Sequence, residues 1–292
     1  MAAAALLLSP RLVSFPPHPS LAPLFTKRPP PYPLGGGGGR GAGARLRAVG
    51  DGPGAGLPPE QATVYDGAYG PWTLEDSDVR EVLLYRSGLV TAAASFVAAS
   101  SAAFLPEGNP AVTGAADLLY AAGAAGLGLS LVLIHIYVTP IKRFLQALWA
   151  AGALGSVGTY LVAARPLDEG LVQYVLDHPA ALWFVGPTFA ALTGLVFKEG
   201  LCYGKLEAGI LTFLIPGLLL GHLSGLMDNS TKAGLLGLWM LLFTIFAARK
   251  FQQPIKDDVG DKSVFMFNAL PEEEKKAWIQ KLERQKGQEL FE

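Results

Sequence analysis

The chain has 292 residues, of which 51% are hydrophobic and only 16% charged, too apolar for an ordinary soluble domain, where about a quarter of residues carry charge. Its 23 Lys and Arg against 24 Asp and Glu give a net charge of -1, which excludes the global basic field that a nucleic-acid partner requires. The single cysteine, Cys202, excludes an internal disulfide, and the absence of any CxxC or Cys/His cluster excludes the familiar zinc and iron–sulfur spacings.

Before Asp51 there is no acidic residue, while Arg11, Lys27, Arg28, Arg40, Arg45 and Arg47 are all positive. That imbalance marks residues 1–50 as an organellar transit peptide. The prolines around Phe15 and at 29–33 and the Gly35–Gly39 run oppose the amphipathic helix of a mitochondrial presequence. A plastid destination is therefore expected, with removal near 44–51. Residues 51–72, rich in Gly, Pro and Ala, read as a disordered linker. Order is expected from Thr73, as an N-cap with Asp76 three positions on.

Between Ser87 and Ala248 lie six uncharged apolar stretches, each about as long as a bilayer's hydrocarbon is thick, the last and shortest sufficing if Lys232 and Arg249 snorkel outward from its ends. They are drawn at 87–104, 118–137, 144–164, 179–197, 208–227 and 233–248. The fold class is thus all-α, a polytopic bundle of six transmembrane helices over 73–250, with the lipid bilayer as its first partner. Arg80, Arg86, Lys142, Arg143, Lys198, Lys205, Arg249, Lys250 and Lys256 fall on one side of these spans, and only Arg165 and Lys232 on the other. The positive-inside bias then puts both termini on one face, the stroma in a plastid. Small residues at helical spacing, Ala122-Gly126-Ser130 and Ala151-Gly155-Thr159, are expected to pack helices within one copy of the chain.

Ionisable residues at membrane depth are the natural candidates for function, because burying them is costly. His135 and His222 sit near opposite ends of their spans, about 20 Å apart in depth by helical rise. They cannot share one haem or metal; each could singly ligate a tetrapyrrole, but a neutral His hydrogen-bonded to a neighbouring carbonyl is the expectation, and no cofactor is expected. Asp117, His222 and Asp228 all lie at span ends on one side, the arrangement a proton or cation relay would need. Glu199 and Glu207, with Lys198 and Lys205 around Cys202, read as a charge-balanced turn at the membrane surface. After the last span, 251–270 reads as a linker and 271–285 as an amphipathic stromal helix with Glu272, Glu273 and Glu274 in its first turn. Trp278, Ile279 and Leu282 form its apolar stripe.

Glu81-Val-Leu-Leu-Tyr-Arg86, Lys142-Arg143, the run from Phe197 to Tyr203 and Gly221-His222 together resemble a family of uncharacterised integral membrane proteins shared by cyanobacteria and plant plastids, itself a domain of unknown function. The resemblance covers about Val64 to Lys250. It implies a plastid membrane home and supplies no reaction. The expectation is a non-enzymatic thylakoid or inner-envelope protein that supports a photosynthetic complex through its stromal loops and C-terminal helix. The alternative is a transporter of small solutes or ions using Asp117, His222 and Asp228. A membrane enzyme using Glu199 and Cys202 ranks third.

Overall fold

The computed structural model describes residues 63–104 and 114–289, with side chains through Arg284. The expected transit peptide, the expected linker as far as residue 62 and the loop 105–113 lie outside the described residues.

The described chain begins with an antiparallel hairpin, β1 (Val64–Gly67) and β2 (Gly70–Thr73), pairing Val64 with Thr73 and Tyr65 with Trp72. The linker expectation fails over this stretch. Counting Gly and Pro hid a β-favouring Val64, Tyr65 and Trp72, and Trp72 is buried with Val82 and Val259. Because Thr73 is taken into β2, α1 (Asp76–Ser101) starts two residues later than expected. Its N-cap is Glu75, whose N–H donates to Asp78 Oδ2 at 2.9 Å. No break separates an entry helix from the first span; they form one helix.

The six apolar stretches are all helices long and apolar enough to cross a membrane. After α1 come α2 (Ala116–Leu133) and α3 (Thr139–Thr159). α3 continues as a π turn over Tyr160–Ala164 and a 3-10 turn over Arg165–Leu167. A short helix, α4 (Leu171–Asp177), then precedes α5 (Leu182–Tyr203), α6 (Leu206–Ser224) and α7 (Asn229–Arg249). Pro187 and Pro216 sit inside α5 and α6, as membrane helices allow when neighbours re-satisfy the freed carbonyls. The second span is shorter than drawn: α2 ends at Leu133, where Ile134 turns to extended backbone, so His135 and Tyr137 stand in a loop.

Neighbours pack in the order α2, α1, α7, α6, α5, α3, around a core containing Leu89, Phe96, Leu127, Leu195, Leu211 and Phe243. The outer faces are apolar as well: Leu154, Val162, Trp183 and Phe213 are exposed. A helix that is hydrophobic all round belongs in lipid. α1 crosses α2 closely: a Cβ on Gly88 would stand 2.6 Å from Gly126 O and one on Gly126 would stand 2.6 Å from Gly88 O. Ser130 Oγ donates to Tyr85 O across the same seam at 2.9 Å. The expected small-residue row of the second span thus packs within the chain. In α3 the expected row holds in part: Gly155 faces the α5 backbone at Phe184 and Thr159 is buried, Gly152 joins them against Thr188, and Ala151 is exposed.

The tail is not a linker. α8 (Ile255–Val259), α9 (Lys262–Ala269) and α10 (Glu272–Glu289) follow the last span. Asp261 caps α9 and also accepts from Ala68 N–H at 2.6 Å, and Tyr69 stacks on Phe267 at 3.9 Å. Lys262 donates to Asp78 at 2.9 Å and lies 3.1 Å from Glu75. Burial works against its charge, and the hydrogen bonds to Asp78 and Glu75 outweigh burial and raise its pKa. The hairpin and the tail therefore form one extramembrane layer beside the start of α1.

Candidate functional site

At this end of the bundle α1, α5, α6 and α7 converge, and their last charged residues turn inward. Glu199, in the last turns of α5, is fully buried. Its Oε2 accepts from Lys250 at 2.7 Å and from Lys205 at 2.8 Å, and its Oε1 from Tyr85 OH at 3.0 Å and Lys198 at 3.3 Å. Lys250, also fully buried, reaches across to Asp258 Oδ1 at 2.5 Å. Asp258 Oδ2 accepts from Arg86 Nε at 2.7 Å, and Arg86 also donates to Pro254 O at 3.1 Å. Gln253 closes the ring, accepting from Lys205 at 2.6 Å and donating to Asp258 at 3.1 Å.

Local sequence makes this convergence possible. Gly204 ends α5 in the left-handed conformation at φ 60° and leads into Lys205 and α6, a turn most residues resist. Pro254 ends the turn after α7 and starts α8, which carries Asp258 back under Arg86. Aromatic rings complete the walls: the Lys198 and Lys205 ammoniums each lie 5.0 Å from the Tyr203 ring centre and Lys250 lies 5.0 Å from that of Tyr85, a favourable placement for a desolvated cation. Tyr203 OH donates to Asp257 O.

This corrects the surface-turn reading of Lys198 to Glu207. Glu199 is not neutralised at the membrane surface but buried under three lysines. Glu207 accepts a two-oxygen contact from Arg249 Nη1, both distances 2.8 Å. Cys202 is exposed while Glu199 is buried, so the two do not converge on one site. Sequence reasoning missed Lys250, Asp258, Arg86 and Tyr85 as members. The available signal was the pair Arg249-Lys250 at a span end followed by Asp257-Asp258.

On the opposite face Asp117 and His222 meet only through α4. Asp117 accepts from the Leu171 and Val172 N–H groups at 2.7 and 2.8 Å, and His222 Nε2 donates to Val175 O at 3.1 Å. Asp228 stands apart as the N-cap of α7, exposed and bonded to Thr231. Hydrogen bonds from the Thr231 hydroxyl and backbone hold its carboxyl below the ordinary range. The three do not line one path. His135 lies 3.6 Å from Glu81 and edge-on to Phe265. Burial lowers its pKa, against the opposing pull of Glu81.

Among the described residues no three His, Cys, Asp or Glu side chains are grouped to hold a metal ion. A groove of about 470 Å³ between α2 and α3 is lined by residues that include Ala121, Ala124, Trp149, Ala153 and Val157.

Residues 129–267 match the family model described as uncharacterised integral membrane protein, DUF2301. This segment is similar to that family. The DUF2301 segment starts inside α2 and runs past Lys250 to Phe267, whereas the resemblance drawn from the sequence ran from Val64 and stopped at Lys250. It carries every ionic member of the network except Arg86, including Glu199, Lys205, Lys250 and Asp258. No curated protein and no solved structure matches the chain.

Proposed function

We propose that the protein is a non-enzymatic component of a plastid membrane, the thylakoid before the inner envelope, that supports assembly or stability of a photosynthetic complex. The observation that carries this reading is the folded layer made by the hairpin, α8, α9 and α10 on the buried ion network. Trp278 Nε1 donates to Tyr69 O at 2.9 Å, fastening α10 to the hairpin, while Met266, Trp278 and Ile279 keep large exposed areas. A charged helix with an apolar stripe, held on a stiff base, is a surface on which another protein can dock. The acid-rich first turn of α10 and the basic residues later in it suit the helix dipole.

The transporter reading requires Asp117, His222 and Asp228 to face a common path, and their polar atoms are instead engaged in fixing α4 and capping α7. The plastid address rests on the acid-free, Arg-bearing first fifty residues. Native-gel fractionation of mildly solubilised plastid membranes tests the reading. The full chain is expected to comigrate with a larger complex and a chain ending at Leu270 to lose that association while remaining in the membrane. Strictly monomeric mobility of the full chain would overturn it.

A further inference from the structure

Beside the network a cavity of about 300 Å³ opens between the turn from α5 into α6, the end of α7 and the start of α8, lined by Tyr203, Lys205, Arg249, Gln252, Gln253 and Asp257. Four cations, Arg86, Lys198, Lys205 and Lys250, contact only two carboxylates, Glu199 and Asp258. Glu207 balances Arg249, and Asp257, which also lines the cavity, offsets one further charge. Positive charge still exceeds negative, and most of it is shut away from water, where a counter-charge is worth far more than in solution.

The donors that face the cavity are also incompletely used. Lys205, 6% exposed, has two acceptors, Glu199 and Gln253, for its three N–H groups. Arg249 engages Glu207 through Nη1 alone, so Nε and Nη2 have no acceptor among the described residues. The guanidinium edge that remains is the one that grips tetrahedral oxyanions through paired hydrogen bonds. Gln252 also lines the cavity and carries a neutral amide donor.

We propose that this cavity binds a phosphate-type oxyanion, held between the Lys205 ammonium and the free edge of Arg249. The cavity is at the small end of the roughly 300–1,000 Å³ usual for ligand pockets, enough for a phosphate group with a short substituent. It sits where α5 and α7 end and α6 begins, at one end of the six spans, so the same chemistry arrives either as a lipid headgroup or as free phosphate. Asp257 opposes the ligand and sets its affinity low. The site stands independently of the assembly reading.

The test uses the full chain purified in uncharged maltoside micelles, titrated in parallel with inorganic phosphate and with dioctanoyl phosphatidylglycerol, reading heat of binding and thermal midpoint. Saturable binding that weakens with sodium chloride is expected in at least one arm, and the stronger arm identifies the source. Asp257→Asn is expected to tighten binding several-fold. Arg249→Lys with Gln252→Ala, which keeps the Glu207 pair, is expected to weaken it about tenfold. No saturable binding in either arm, or binding that neither variant moves, would overturn the proposal.

Discussion

Lys250 and Glu199, 51 residues apart in the chain and both without solvent contact, hold their charged atoms 2.7 Å apart where α7 and α5 leave the membrane. Each is also tied to a second element, Lys250 to α8 through Asp258 and Glu199 to α1 through Tyr85. Removing one partner leaves an uncompensated buried charge, which costs about 3–5 kcal/mol. Lys250→Met is therefore expected to lower unfolding stability in detergent by about that amount. Lys198→Met, which removes the longest contact to Glu199 at 3.3 Å, is expected to cost less. Equal losses for the two variants would show that Lys250 is not the centre of the network.

The Gly88–Gly126 crossing gives a second expectation. A methyl at either position meets the facing backbone at 2.6 Å, and neither helix can withdraw without opening the α1–α2 seam. Gly126→Ala is expected to destabilise by about 1–3 kcal/mol, the usual cost of overpacking. Gly186→Ala, with nothing within 4 Å of the added atom, is expected to be neutral or mildly stabilising in the same unfolding assay. If Gly126→Ala matches Gly186→Ala, the seam is looser than described.

His135 makes stability depend on acidity in a definite direction. Burial lowers its folded pKa below the ordinary 6.5, so the unfolded chain binds a proton more readily than the folded one. Its contribution is fully present above about 6.5 and is lost as pH falls toward the folded value. Between pH 7.5 and 5.5 the thermal midpoint of the wild-type chain is expected to drop more than that of His135→Asn. Parallel curves for the two chains would remove His135 as the cause.

What could be read in the sequence was set by how far each signal reaches along the chain. The spans were legible because twenty apolar residues in a row have one physical solution in lipid. Asp117 and His222 were correctly set on one face, yet α4, which they hold from both ends, is only seven residues long and has too little periodicity to stand out. The hairpin was hidden because Trp72 is buried by Val82 and Val259, the second of them 187 positions away. Glu199 and its lysines were noticed as a dense polar run. Their burial depends on Lys250 and Asp258, and no local pattern announces a pairing across three helices. The positive bias of this face was legible too, but part of it, Arg86, Lys205 and Lys250, is held inside by carboxylates.

Asp117 supplies a further expectation at the opposite face. Its two oxygens hold the first two N–H groups of α4, and hydrogen bonds to a charged acceptor contribute about 1.5–3 kcal/mol each. Asp117→Ala is expected to raise amide exchange at Leu171 and Val172 strongly while leaving exchange in α1 unchanged. Continued protection of both amides would show that α4 is held by its apolar contacts alone.

The arrangement of the spans can be tested with the one native cysteine. Cys202 is exposed at the end of α5, on the face where Ala68 in the N-terminal hairpin touches Asp261 in the tail at 2.6 Å. That contact requires hairpin and tail to share one side of the membrane, as six spans also require. Gln173 in α4 is exposed between α3 and α5 and belongs to the other side. If the proposed location holds, then in sealed thylakoid vesicles with the stromal face outward an impermeant maleimide is expected to modify Cys202 directly. It should modify a Cys202→Ala, Gln173→Cys chain only after detergent. Protease added to the same vesicles is expected to remove α10. Labelling of the Gln173→Cys chain without detergent, with α10 resistant to protease, would reverse the orientation. Labelling of both chains alike would break the six-span order, and with it the grouping of Arg86, Glu199, Lys250 and Asp258 at one end of the bundle.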